Sequence, residues 1–279
     1  MSRVAVVGMG GMGSRIARRL LDAGHEVVVW NRSPEKTKPL VDLGAVAAES
    51  PAQAASGSEA VLTIVADPEA LREVTEGRHG IAAGEPDTLI QMSTVSPEAT
   101  ARLEPLFARL LDAPVLGSLS EVEDGTLKVF AGGPAELVER WEPLLSVLGT
   151  VIHVGPVGAG TAAKLVANST LLGVLGVLGE ALALARRLEL EQDKAFEVLA
   201  QTPLSAQAER RRPVVEGDNA PVRFALSLAL KDAELMRAAD PDLKVTAAVR
   251  DWFAEATEGG WADRDYSAIL NWIAGDRER

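Results

Sequence analysis

The feature that most constrains the fold is a glycine-rich turn between a strand pattern and a helix pattern near the start of the chain. The apolar run Arg3–Val7 is typical of a buried strand, and residues 12–23 follow as an amphipathic helix. Glycines at G-x-G-x-x-G spacing between them allow a tight turn, close approach of a pyrophosphate and close helix–strand packing. The sequence therefore predicts a dinucleotide site whose contacts are Gly8, Met9, Gly10, Gly11, Met12 and Gly13.

Alternating strand and helix patterns continue to about residue 158, which predicts a mostly parallel sheet with helices on both faces. Beyond that point the patterns are helical, starting with one long apolar helix over about residues 161–188. We therefore predict an α/β protein with an N-terminal doubly wound Rossmann domain (1–158) and an all-helical C-terminal domain (159–279). The second domain would serve substrate binding and oligomerisation, and the long helix would link the two.

The residues after the second predicted strand indicate which cofactor is used. Enzymes that use the non-phosphorylated dinucleotide usually have an acidic residue there, whereas this chain has Asn31, Arg32 and Ser33. A guanidinium and a hydroxyl bind a 2′-phosphate that a carboxylate would repel. We predict NADP(H), with NADPH preferred over NADH. Alternatively, Ser33 caps the next helix, which would still leave Arg32 available.

Loops at the carboxyl ends of two further strands should border the same cofactor. Their candidate contacts are Val65, Ala66 and Thr94. A turn or capping role for Thr94 is an equally good interpretation.

Lys164 is the candidate catalytic residue. It lies in the first turns of the long helix among apolar neighbours, an environment that lowers the pKa of a lysine and suits it to proton transfer. Asn168 follows one turn later on the same face, and Gly160 precedes by one turn with no side chain. The alternative is an ordinary surface lysine, which the apolar neighbours disfavour.

A second candidate segment follows the strand predicted over residues 112–115. The small residues of its loop offer backbone amides that could hold a substrate carboxylate, with Leu116, Gly117 and Ser118 as the substrate-binding candidates. An ordinary hairpin connection is the alternative interpretation.

Composition excludes several classes of function. The 279-residue chain has a net charge of −12 with scattered charges, which argues against nucleic acid or membrane partners. It has no cysteine and only three histidines without an acidic cluster, so we expect no disulfide and no metal site. A strand pattern at the N-terminus leaves no signal peptide, which predicts a cytoplasmic protein. The apolar stretch 171–185 contains Glu180 and is short for a membrane span, so a buried helix is expected.

Four motifs together resemble the β-hydroxyacid dehydrogenase family, which includes 3-hydroxyisobutyrate dehydrogenase and tartronate semialdehyde reductase. They are G-M-G-G-M-G at 8–13, D-A-P-V-x-G with G-T-L within 112–127, G-A-G-T-A-A-K-L-V-A-N at 158–168, and K-D at Lys231. The resemblance implies hydride transfer between NADP(H) and a small β-hydroxyacid or its semialdehyde by a homodimer or homotetramer. It also implies Lys164 as the catalytic lysine, Asn168 as its substrate-orienting neighbour, and Lys231 as a cofactor contact from the second domain.

One departure from the family pattern concerns the substrate. Leu116 stands where the family usually has serine, so the substrate is expected to be less acidic or more hydrophobic than a short hydroxyacid. Imine reductases share the architecture but generally carry Asp or Tyr at the lysine position, so Lys164 argues against them and Leu116 keeps them as an alternative. A non-catalytic NADP-binding protein is the third hypothesis, although such a protein would need neither Lys164 nor Asn168.

Overall fold

The computed structural model describes residues 1–217 and 221–276. The chain forms two compact units, Met1–Lys164 and Leu165–Arg279. The first holds the sheet and the second is helical, and the division falls inside one long helix. The predicted domain boundary at residues 158 and 159 stays a prediction.

The first unit contains nine strands and seven α-helices. The strands are β1 (Arg3–Val7), β2 (Glu26–Trp30), β3 (Val46–Ala47), β4 (Ala60–Thr63), β5 (Thr88–Gln91), β6 (Leu110–Asp112), β7 (Val115–Leu116), β8 (Leu127–Gly132) and β9 (Gly149–Gly155). The helices are α1 (Gly11–Asp22), α2 (Lys38–Val41), α3 (Pro51–Ala55), α4 (Pro68–Glu76), α5 (Pro97–Ala101), α6 (Leu119–Asp124) and α7 (Ala135–Leu145).

The sheet is parallel from β3 through β2, β1, β4 and β5 to β6, and β8 then joins antiparallel to β6. Strand β1 is buried on both faces: Val4 and Val6 belong to one core, and Ala5 and Val7 to the other. Because successive side chains of a strand point to opposite faces, helices must cover both sides of this sheet. The doubly wound α/β prediction is confirmed.

The strand predicted over residues 112–115 is interrupted. β6 ends at Asp112 and β7 begins at Val115, with Pro114 between them. Proline has no N–H to give to a ladder, which is a physical reason for a break at this position. The segment that follows forms the short helix α6, which the sequence analysis did not predict.

The long helix is α8 (Ala159–Arg187), close to the predicted bounds of 161–188. The second unit continues with α9 (Gln192–Leu199), α10 (Ser205–Val215), α11 (Leu226–Ala239), α12 (Lys244–Ala256) and α13 (Ile269–Ile273). Two glycines of α8 let other helices approach. A Cβ on Gly176 would lie 2.7 Å from Val249, and one on Gly179 would lie 2.8 Å from Ile273.

Helix α8 is also long and apolar enough, by length and composition alone, to cross a membrane. The apolar stretch 171–185 lies inside this helix of 29 residues, so its own length does not decide between a membrane span and a core helix. One face nevertheless packs in the core of the second unit, through Leu172, Leu175, Leu178 and Leu182. This packing supports the interpretation of α8 as a core helix.

Candidate active site

The glycine turn has two positions at which the fold requires glycine, and a third position with open space beside it. Gly8 has φ +105°, and a Cβ there would lie 2.1 Å from the Ile64 carbonyl oxygen. A Cβ on Gly13 would lie 1.9 Å from the Gly8 carbonyl oxygen. A Cβ on Gly10, the N-cap of α1, would meet no atom within 4 Å. Space beside Gly10 and the first N–H groups of α1 is the arrangement that binds a pyrophosphate.

The other residues of the turn contribute mainly through their backbone. The side chains of Met9 and Met12 pack in or against the core of the first unit. Met9, Gly10 and Gly11 line an open groove of about 950 Å³, which Lys36 also lines. The turn and this lysine thus share one surface.

Asn31 makes its hydrogen bonds to the protein itself. Its Oδ1 accepts from the Met9 N–H at 2.9 Å, and its Nδ2 donates to the Ser33 carbonyl at 3.0 Å. The side chain therefore ties the glycine turn to the loop after β2. In this geometry Asn31 shapes the predicted cofactor site.

Arg32 and Ser33 have groups that a ligand can reach. The Arg32 side chain is 83% exposed, and its nearest ion-pair distance is 4.0 Å, to Glu73. Ser33 precedes a 3₁₀ turn at Pro34–Thr37, yet its side chain makes no capping hydrogen bond there. The capping alternative for Ser33 is thus not what this structure shows.

The loops after β4 and β5 are joined through Ser93. Its hydroxyl accepts from the Val65 N–H at 2.9 Å, and the Gln91 amide donates to the Ser93 carbonyl at 3.0 Å. Gln91 and Ser93 are buried. These bonds fix the backbone around the predicted contacts Val65, Ala66 and Thr94. Ser93 lies in the same candidate loop as Thr94, but a serine in a loop carries no local signal that it joins two loops.

The predicted carboxylate-binding loop already holds a carboxylate of the chain. The Ser118 N–H donates to Glu121 Oε2 at 2.9 Å, and the hydroxyls of Ser118 and Ser120 donate to the same oxygen. The Ser118 hydroxyl bond is the main reason that the pKa of Glu121 falls to about 2. This is a capping box at the start of α6.

The capping box changes what the loop can bind. While it holds, the Ser118 amide is occupied, and the ionised Glu121 would repel a substrate carboxylate. Gly117, at φ +138°, and Leu116 precede it with no charged group. Leu119, which follows Ser118, lies near the glycine turn, because its side chain is 3.4 Å from a Cβ built on Gly11.

Gly160 has a different environment from the one predicted. A Cβ there would lie 2.1 Å from the Asp112 carbonyl oxygen and 2.5 Å from that of Phe130. Glycine is therefore needed for the start of α8 to approach β6 and β8. The side of Gly160 on which a side chain would project is thus closed by the backbone of these two strands.

Lys164 is buried, with 9% of its surface exposed. A lysine is rarely buried unless it has a specific role or partner. Asn168, four residues on in the same helix, is 3% exposed. Its Nδ2 donates to Asp232 Oδ2 at 2.6 Å, and its Oδ1 has no hydrogen-bond partner among the described residues. A buried carbonyl oxygen without a donor is costly, so this oxygen is a candidate contact for a donor from outside the chain.

Lys231 pairs with the neighbouring carboxylate. Its Nζ lies 2.9 Å from Asp232 Oδ1, and Asp232 is 2% exposed. Asp232 thus joins Lys231 to Asn168 in one polar cluster of the second unit. The K-D motif was the available signal for Asp232, but only its lysine was given a role. The described residues contain no group of three or more metal-ligating side chains.

Comparison with known families gives two matches that together cover most of the chain. Residues 3–155 match the NAD binding domain of 6-phosphogluconate dehydrogenase. Residues 158–273 match the family described as NAD-binding of NADP-dependent 3-hydroxyisobutyrate dehydrogenase.

Individual relatives extend over nearly the whole chain. The 3-sulfolactaldehyde reductase of Escherichia coli (strain K12) is 33% identical over 287 residues, covering 98% of this chain and 96% of that protein. The structure of Mycobacterium tuberculosis 3-hydroxyisobutyrate dehydrogenase with L-serine has a TM-score of 0.86 at 26% identity, covering 97% and 98% of the two chains.

An imine reductase from Myxococcus stipitatus, solved with NADP+, has a TM-score of 0.67 at 22% identity, covering 97% of this chain and 99% of that one. This last likeness concerns the fold alone.

Proposed function

Because this chain belongs to the β-hydroxyacid dehydrogenase family, we propose that it transfers hydride between NADP(H) and a small β-hydroxyacid or its semialdehyde. The observation that most supports this proposal is that Lys164 is buried one helical turn before Asn168, which is also buried. A scaffold that only bound a dinucleotide would gain nothing from burying either group, since burial of polar groups is unfavourable.

The residues of the first unit fit a phosphorylated dinucleotide. The open space at Gly10 and the start of α1 suit the pyrophosphate, and Arg32, Ser33 and Lys36 suit a 2′-phosphate. No carboxylate stands at residues 31–33 to select the unphosphorylated form. We propose that NADPH is preferred over NADH.

The proposed chemistry assigns one proton to Lys164. When bound, the nicotinamide supplies or accepts the hydride. In the oxidation direction neutral Lys164 removes the hydroxyl proton, and in reduction its ammonium returns a proton to the same oxygen. Asn168 gives one Nδ2 hydrogen to Asp232, and it would donate the second to the reacting oxygen and so orient the substrate. Lys231 would contact the cofactor from the second unit, as the family resemblance implies.

A second candidate, reduction of imines or other uncharged carbonyl compounds, has one observation in its favour. The loop predicted to hold a substrate carboxylate presents Leu116, and its Ser118 amide is occupied by Glu121. Both features favour a substrate without a carboxylate at that loop. Lys164 favours the semialdehyde proposal.

Two experiments test these proposals. Fluorescence titration with NADPH and NADH should give tighter binding of NADPH, and equal or tighter binding of NADH would contradict the cofactor proposal. Initial rates with glyoxylate, succinic semialdehyde and sulfolactaldehyde, beside a cyclic imine, should show reduction of a semialdehyde. Imine reduction alone would favour the second candidate, and tight NADPH binding without turnover of any compound would favour a non-catalytic protein.

A cytoplasmic location and assembly into a homodimer or homotetramer stay predictions. The same holds for a small-molecule substrate as the partner, without nucleic acid or membrane.

A further inference from the structure

Asp112 is a buried carboxylate that the proposed chemistry does not use. It ends β6 with none of its surface exposed. One oxygen accepts from the Thr161 N–H at 2.6 Å and the other from the Thr161 hydroxyl at 2.8 Å. Backbone N–H groups of Gly158 and Gly160 also act to lower its pKa. Burial is the largest influence on the pKa of Asp112 and raises it, while these N–H and hydroxyl groups act against that rise.

The contact extends to a third element. The hydroxyls of Thr161 and Thr100 lie 2.9 Å apart, and both residues are buried. If Thr161 donates to Asp112, its oxygen accepts from Thr100. The first turn of α8 is thus bonded to the end of β6 and to α5.

Steric contact removes the remaining freedom at this helix start. Gly160 leaves no room for a Cβ between α8 and the carbonyl oxygens of β6 and β8. When ionised, Asp112 also faces the positive end of the helix dipole, where an anion is favourable. Hydrogen bonds, close packing and the dipole therefore all hold α8 in one position on the sheet.

This position bears on the proposed catalytic lysine. Lys164 follows Thr161 by three residues, which is about 4.5 Å along a helix axis. Asp112 pairs with Gln91 of β5, the strand that leads into the loop containing Thr94. A shift at Thr161 would thus displace Lys164 relative to the strand ends that border the proposed cofactor site.

We propose that Asp112, acting through Thr161, is a positioning residue that fixes the start of α8 and so sets the location of the Lys164 amine. This inference rests on the proposed role of Lys164. Asp112 itself touches no reacting atom. The competing explanation is a helix cap that contributes to stability only.

The test compares Thr161→Val with Thr161→Ser. Valine has the shape of threonine without the hydroxyl, whereas serine keeps the hydroxyl. With NADPH and the aldehyde reduced fastest in the panel above, we expect Thr161→Val to lower kcat about 10- to 100-fold, the range produced by misplacing a catalytic group by roughly 1 Å. The Kd for NADPH should stay the same, and Thr161→Ser should restore most of kcat.

Two further variants complete the design. Asp112→Asn keeps the shape but points an amide N–H₂ at groups that already donate, so it should lower kcat like Thr161→Val. Ser50→Ala is the matched control, because the Ser50 hydroxyl caps α3 by accepting from the Gln53 N–H at 3.1 Å. It should lower the melting temperature without changing kcat.

The outcomes separate this inference from the proposed function. Wild-type kcat in Thr161→Val and Asp112→Asn, with an inactive Lys164→Ala, would overturn the positioning role alone. A loss of NADPH affinity that accounts for the loss of activity, or equal loss in Thr161→Val and Thr161→Ser, would also overturn it in favour of a structural role. An active Lys164→Ala would overturn the proposed role of Lys164, and the positioning role with it, whereas the proposed function fails only if the wild type reduces no semialdehyde.

Discussion

The carboxamide of Asn168 donates a 2.6 Å hydrogen bond to the buried carboxylate of Asp232, whose other oxygen lies 2.9 Å from the ammonium of Lys231. Because an ionised carboxylate only accepts hydrogen bonds, Asp232 holds the nitrogen end of the amide. The oxygen end is thereby left for another donor. The orientation of Asn168 is thus decided by a residue 64 positions away.

Asp232→Asn should weaken the preference of Asn168 for one amide orientation, because a carboxamide can hydrogen-bond to either the nitrogen or the oxygen of Asn168. We expect kcat to fall about tenfold, in line with the loss of one hydrogen bond to a charged group. Steady-state kinetics on the reduced aldehyde measures the change. Asp240→Asn, at the end of the same helix, is the control and should behave like the wild type. An unchanged kcat in Asp232→Asn would contradict an orienting role.

Lys164→Ala should remove proton transfer while leaving the glycine turn intact. We expect kcat to fall about 10²- to 10⁴-fold, the usual contribution of general acid–base catalysis. NADPH binding, followed by fluorescence, should be nearly unchanged. Lys194→Ala removes a lysine of α9 that pairs with Glu197, and it should retain full activity. Near-normal turnover in Lys164→Ala would eliminate the mechanism.

Arg32→Glu should reverse the cofactor preference. The variant replaces a guanidinium that would bind the 2′-phosphate with a carboxylate that repels it and suits a free ribose. The Kd for NADPH should rise about 10- to 100-fold, as for loss of hydrogen bonds to a charged group. Arg102→Glu makes the same charge change beside Glu76 and should leave both Kd values unchanged. If Arg32→Glu still bound NADPH more tightly than NADH, residues other than Arg32 would bind the 2′-phosphate.

Glu121→Gln should destabilise the first unit in a pH-dependent way. The folded-state pKa of Glu121 is lowered from 4.5 to about 2, chiefly by the Ser118 hydroxyl. A lowered pKa stabilises the folded state above the unfolded pKa, and this contribution is lost as the pH falls from 4.5 towards 2. The melting temperature of Glu121→Gln should therefore lie below that of the wild type at pH 7.

The same comparison at low pH completes the test. The difference in melting temperature should shrink when both proteins are measured near pH 2.5, because Glu121 is then partly protonated. Glu104→Gln, which changes an exposed carboxylate, should show no such pH-dependent difference. If the difference in melting temperature were the same at pH 7 and near pH 2.5, the capping box would not depend on the negative charge of Glu121.

Exposed apolar residues of helix α8 allow the predicted homo-oligomer to be tested. Val166, Val177 and Leu184 are exposed, and their spacing places them along one stripe of the helix. Light scattering should give a dimer or tetramer mass for the wild type and a lower mass for Val177→Asp with Leu184→Asp. Val198→Asp adds a charge at an exposed position of α9 and should leave the mass unchanged. A monomeric wild type would contradict the prediction.

Local patterns were sufficient where a few neighbouring residues decide the structure. The strand Arg3–Val7, the glycine turn and the start of α1 follow from alternation, φ freedom and close approach, all within 20 residues. The helix that carries Lys164 and Asn168 was likewise predicted, since spacing alone puts both on one face.

Two predicted positions have a partner that the sequence reading did not assign, one nearby and one distant in the chain. Ser118 was read as a loop amide, but Glu121 closes a capping box on it. Gly160 was expected to present backbone without a side chain on the face of Lys164, but the backbone of β6 and β8 covers it. The S-x-x-E pattern at residues 118–121 is a local capping-box signature that was not used, whereas the backbone over Gly160 could not be identified before the path of the chain was known.

The sequence by itself determined the class of the fold, the glycine turn, the absence of a carboxylate after β2, and the pair Lys164 and Asn168. Only the tertiary structure decided that Asp112 holds the start of α8 and that Asp232 orients Asn168. These pairs are separated by 49 and 64 residues. Their contacts depend on strand order and helix packing, because a side chain far along the chain becomes a neighbour only when the intervening elements have folded.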